Sequence, residues 1–219
     1  FFVFLCSQSY NKSVSKQLTV NKITVGALIF IIAGSFLFFY NWKFNEFGMK
    51  AFKGNENISD YIKSQMGICF RTHEESGSSK CYKAAADLFM DQFSFETILQ
   101  EFTAGEGSLE IFARCHETAH YIGRKSFQIE QSVPLLFSKG TSACWGGFYH
   151  GVVEGYFDSK NLSFANASLL AGEIKKVCGA WQDYKSPRAF GECIHGIGHA
   201  LMFISNSDLP QSLRWCDEL

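Results

Sequence analysis

Apolar positions recur at helical spacing through most of the chain. Leu88, Phe89, Phe93, Ile98, Leu99 and Phe102 form a broad stripe that predicts an amphipathic helix from Ala84 to Phe102. A shorter helix is expected from Asp60 to about Arg71. Gly105 and Gly107 then break the pattern, and Ser108 with Glu110 behind it reads as the N-cap of a helix running to about Phe127. Pro134 interrupts. Further helices are expected over Ala143–Phe157, Phe164–Cys178 and Ser186–Ile204, the last opening on Ser186-Pro187 as N-cap and N1 proline. A final helix starts near Gln211. No stretch alternates in the manner of a strand, and the chain holds only three prolines, so the fold class expected is all-α.

One apolar run is of a different kind. Ile23–Tyr40 carries no charge and is long enough to span a bilayer. Lys12, Lys16 and Lys22 precede it without an acid among them, so the positive-inside rule places residues 1–22 in the cytoplasm and everything beyond the anchor outside. No small-residue cleavage site follows the run, which favours an uncleaved anchor over a signal peptide. The expected organisation is a cytoplasmic segment 1–22, a transmembrane anchor 23–40, a linker 41–58 and a Cys/His-rich helical domain 59–219. The chain begins on Phe1 and ends in what reads as mid-helix, so it is taken as a piece of a longer protein. The membrane is the expected partner. The net charge of −1 and the absence of any Lys/Arg block argue against nucleic acid. A protein partner or peptide substrate stays open.

An extracytoplasmic domain permits disulfides. Cys69 and Cys81 flank one polar turn between helices, and Cys178 and Cys193 flank another. These placements predict Cys69–Cys81 and Cys178–Cys193 as staples of helical hairpins, with Cys115–Cys144 the remaining pair and Cys216 left over. Zinc thiolate binding is the rival use of these cysteines, but no Cys-x-x-Cys occurs. Ser108-x-x-x-Phe112-x-x-Cys115 matches Ser186-x-x-x-Phe190-x-x-Cys193, and a His-x-x-x-His follows each cysteine. The domain therefore reads as a degenerate helical-hairpin repeat.

The histidines carry the chemistry. Five of the six lie at three places: His116 and His120, His150, and His195 and His199. Residues four apart share a helix face, so each His-x-x-x-His presents two imidazoles together, and His150 pairs with Glu154 in the same way. If the three helices are neighbours, His116, His120, His150, Glu154, His195 and His199 converge on a divalent transition metal. Zinc is the first choice, with iron, manganese and copper as further options. Glycines 146, 147, 151 and 155 would be costly in an exposed helix and fit one that approaches its neighbours closely. The alternative is a disulfide-stapled interaction module whose histidines only support packing. Trp145, Trp181 and Trp215 read as core.

His116-Glu117-Thr118-Ala119-His120 resembles the His-Glu-x-x-His motif of the zincin metallopeptidases. The resemblance covers five residues. It implies that His116 and His120 bind zinc and that Glu117 is the general base of a metal-dependent hydrolase. Extended forms of the motif continue to Gly-x-x-His. Here Gly123 is present, but Ser126 stands where the third histidine would be, so a third ligand must come from Glu154, His150 or the 195/199 pair.

Overall fold

The computed structural model describes residues 47–71, 75–160, 167–180, 182, 184 and 186–217. The expected anchor 23–40 lies outside these residues. No helix among the described residues is long and apolar enough to cross a membrane.

All regular secondary structure among the described residues is helical. Helix α1 is Ile58–Phe70, α2 Glu75–Met90, α3 Phe95–Gly105, α4 Leu109–Phe112, α5 Cys115–Glu130 and α6 Val133–Lys139. A 3₁₀ turn at Ala143–Gly146 leads into α7, Gly147–Ser159. Helices α8 (Ala167–Val177), α9 (Pro187–Ile204) and α10 (Leu209–Asp217) complete the chain.

Several expected helices are divided or shifted. The stripe from Leu88 to Phe102 belongs to two helices, because Ser94 leaves helical geometry and caps a new start by accepting from the Thr97 amide. The helix expected from Ser108 to Phe127 breaks at Arg114, whose φ of −146° is not helical. Only α4 follows Ser108, and the Ser108 hydroxyl caps nothing. Pro134 opens the short helix α6 within its first turn, where its missing amide proton is not needed. By contrast, Ser186 does cap α9 by accepting from the Ala189 amide, and α9 then runs unbroken for 18 residues.

Helix α7 is the axis of the carboxy-terminal half. Ten of its 13 residues are buried, Phe148, His150, Val152, Val153, Glu154 and Phe157 among them. A helix covered on nearly every side must be flanked by others. Helix α5 packs along one side and α9 along another. The α5 contact is close because of two glycines. A Cβ on Gly151 would lie 2.1 Å from the His120 carbonyl oxygen, and one on Gly123 would lie 2.2 Å from that of Phe148. The amino-terminal half is an apolar core of Ile62, Met66, Leu88, Phe89, Ile98, Leu99 and Phe102 on α1–α3, joined to the rest through Ile111 and Ile122.

Three cystines link these elements. Cys69–Cys81 joins α1 to α2, Cys115–Cys144 joins the start of α5 to the 3₁₀ turn, and Cys178–Cys193 joins the segment after α8 to α9. These are the pairs that the placement of the cysteines suggests. They enclose loops of 12, 29 and 15 residues. Closing a loop near the shorter of these lengths restricts the unfolded chain by about 3 kcal/mol. Cys216 is exposed and has no disulfide partner. Trp145, expected in the core, is 58% exposed. Its positive φ of 52° turns it outward as part of a left-handed pair with Cys144.

Candidate metal centre

The histidines of α5 enter the seam between α5 and α7 one turn apart. The Nδ1–H of His116 donates to the carbonyl oxygen of Cys144 at 2.7 Å. That carbonyl also accepts the Gly147 amide N–H, and the chain around it is not a regular helix: Cys144, Trp145 and Gly146 all have positive φ. The Nδ1–H of His120 donates to Glu154 Oε1 at 2.8 Å. A carbonyl and a carboxylate only accept, so both rings carry their proton on Nδ1. In its neutral form each ring has an unprotonated Nε2, and these two nitrogens lie 3.1 Å apart.

Glu154 is engaged through both oxygens, Oε1 by His120 and Oε2 by the Arg124 guanidinium. Burial alone would raise its pKa, but the bond from His120 and the charge on Arg124 hold the carboxyl below its ordinary value. An ionised Glu154 therefore backs His120 from behind, in the manner of carboxylate–histidine pairs at metal sites. Glu154 is one of the ligands expected from the sequence, and it stays within a candidate metal-holding group. The structure sets it against Nδ1 of His120 and, through a further grouping, near His199.

His150 is fully buried and neither of its ring nitrogens has a hydrogen-bond partner. Its closest charged neighbour is Glu192 Oε2, 3.5 Å from Nε2. Burial, followed by the proximity of His199, His120, His195 and His116, pushes its pKa down to about 2. Burial also lowers His199 to about 4 and depresses His116. These rings are neutral, the form in which imidazole binds metals.

All six sequence-predicted ligands come together, but not around one point. Their donor atoms form three overlapping triads, each within 4.8 Å: His116, His120 and His150; His150, His195 and His199; and His120, Glu154 and His199. His150 stacks on His199 with ring centroids 4.3 Å apart and lies 4.5 Å from His195. The chemistry available is metal binding by neutral imidazole with a carboxylate in support.

Glu117 stands apart from these triads. Its Oε2 lies 3.8 Å from Arg114 on the outer side of α5, and the side chain is 30% exposed. Two contributors were missed from the sequence. Arg124, one turn beyond His120, secures Glu154. Glu192 Oε2 lies 3.5 Å from His150 Nε2 and 4.0 Å from His195 Nδ1, while its Oε1 is 3.7 Å from Arg188. The signal for Glu192 was present: residues 192, 195 and 199 lie three and seven apart, on one face of a helix. Beside the centre, a cavity of about 550 Å³ is lined by Thr103, Glu106, Phe112, Cys144, Trp145 and Arg188, among others.

Comparison with protein-family models, curated proteins and solved structures finds no match to this chain. Fold and site together define its class: an all-helical, cystine-linked protein with histidine clusters able to hold a metal ion.

Proposed function

We propose that the domain binds a divalent transition metal, zinc in the first instance, through His116 Nε2, His120 Nε2 and His150. One observation carries this reading. Two unprotonated imidazole nitrogens face each other at 3.1 Å, and hydrogen bonds behind both rings prevent either from turning its N–H inward. Lone pairs repel at that distance unless a cation lies between them. Two nitrogens bound to one tetrahedral zinc ion stand about 3.4 Å apart, close to the arrangement here. His150, buried and without a hydrogen-bond partner, supplies the third donor.

Three histidines leave a tetrahedral ion one open position, as in catalytic rather than structural zinc sites. That vacancy supports a second reading, a metal-dependent hydrolase of the zincin kind with Glu117 as base. Glu117 would first have to leave Arg114. The cystines support an oxidising compartment, and we read the domain as lying outside the cytoplasm, held to the membrane by residues 23–40. Metal analysis of the purified full chain tests the main reading. Bound zinc after loading, reduced by one equivalent in His116→Ala and in His120→Ala, is the expected result. A chain that retains no transition metal would leave the stapled interaction module as its function.

A further inference from the structure

We propose that the centre holds a second metal ion, bound by His195, His199 and Glu192 of α9 and sharing His150 with the first. The inference rests on the reading of His116, His120 and His150 as the first site. The histidines divide into two sets. Two triads join His150 to the α5 pair on one side and to the α9 pair on the other, while a third, His120, Glu154 and His199, spans all three helices without it. His195 has ring contacts with His150 at 4.5 Å and His199 at 5.0 Å. A single ion held by His116 and His120 would leave His195 with no role.

His150 is the hinge of the proposal. It has two ring nitrogens, both buried and both without a hydrogen-bond partner. One ion can use only one of them. A second ion accounts for the other. Serving both requires His150 to lose its single ring proton, which passes to solvent as the second ion binds. Nε2 faces α9, since it lies 3.5 Å from Glu192 Oε2. The same carboxylate oxygen is 4.0 Å from His195 Nδ1, so it is placed to complete the second ligand set with negative charge. Its other oxygen faces Arg188, which would orient it as Arg124 orients Glu154.

The two sites differ in access. The His195 side chain is 62% exposed, whereas that of His120 is 11% exposed. The second ion would therefore exchange faster and be removed first by a chelator. Calorimetric titration of the full, oxidised chain with zinc, with metal counted after desalting, provides the test. Two equivalents are expected for the parent chain and one for His195→Ala and Glu192→Gln, both of which keep the α5 site. The exposure of His195 makes its truncation harmless to folding, and circular dichroism checks this. One equivalent in the parent, unchanged in both variants, would overturn the second site and leave the first standing. No bound metal at all would overturn both. Copper(II) supplies an independent readout. Two copper ions joined by one imidazole couple magnetically, so the paramagnetic signal per copper should fall as the second equivalent binds. An undiminished signal at two equivalents would overturn the sharing of His150.

Discussion

Helices α5 and α9 carry the same His-x-x-x-His spacing and lie on either side of α7, yet they treat their histidines differently. On α5 both rings are held from behind, His116 by the Cys144 carbonyl and His120 by Glu154, which Arg124 secures in turn. On α9, His195 is largely exposed, and its nearest carboxylate is 4.0 Å away. The seam against α7 differs as well. Gly123 and Gly151 bring α5 against α7 backbone to backbone, whereas on α9 Gly196 meets the side chain of Val153 and Gly198 has open space beside it. The comparison teaches that a shared spacing puts two imidazoles on one face, but affinity depends on what stands behind each ring.

The sharpest way to break this contrast is steric. Gly151→Ala would push a methyl group to within 2.1 Å of the His120 backbone, which neither helix can yield without separating. Overpacking of this kind costs about 1–3 kcal/mol or more, and the loss should appear in chemical denaturation together with loss of metal. Gly198→Ala on α9 meets nothing within 4 Å and should be neutral or stabilising by up to about 1 kcal/mol through helix propensity. Equal destabilisation by the two substitutions would remove the distinction between the seams.

Glu154→Gln probes the support behind His120. It should weaken zinc binding by roughly 10–100-fold and leave the fold in place, as read by competition with a chromogenic chelator. An unchanged affinity would mean that the carboxylate does not tune the ring. Acid should then act on the metal-free chain. His150 and His199 have folded-state pKa values of about 2 and about 4, below the ordinary 6.5. Below pH 6.5 the unfolded chain takes up protons that the folded one refuses. Stability is therefore greatest above that value and falls as pH drops toward 4, by up to about 1.4 kcal/mol per pH unit for the fully buried His150 and by less for the half-buried His199. Thermal melts of the chelator-treated chain between pH 7 and pH 5 should show a falling midpoint, and a flat profile would contradict the burial of neutral rings. The smallest effect is expected from Glu117→Gln, which should leave zinc affinity unchanged within a factor of about two, since the carboxylate faces Arg114 through an exposed pair of the weak kind. If a hydrolytic activity is found, its survival in this variant would exclude Glu117 as the base.

Much of the site was legible as spacing. The pairs at 116/120 and 195/199 and the 150/154 pair follow from helical periodicity, and Cys69–Cys81 and Cys178–Cys193 follow from cysteines at adjoining helix ends, with Cys115–Cys144 left over. What escaped the sequence depends on distant contacts. The break at Arg114 divides one expected helix, and nothing in the local pattern from Ser108 to Phe127 requires it. Likewise, the sequence places Glu154 on a face with His150 as a candidate ligand, and it does fall within a group of donor atoms with His120 and His199. Its use by His120 and Arg124 depends on how α5 lies against α7.

From the sequence alone came the residue types, their helical faces and the small residues that let helices touch, since these depend on backbone period and side-chain size near one another in the chain. The tertiary structure alone decided which nitrogens of His116 and His120 face each other, which carbonyl or carboxylate stands behind each, and that His150 belongs to two groups of donor atoms able to hold a metal. Those outcomes depend on hydrogen-bond partners brought from 28 and 34 residues away. Local periodicity carries no information about such partners until the helices have packed.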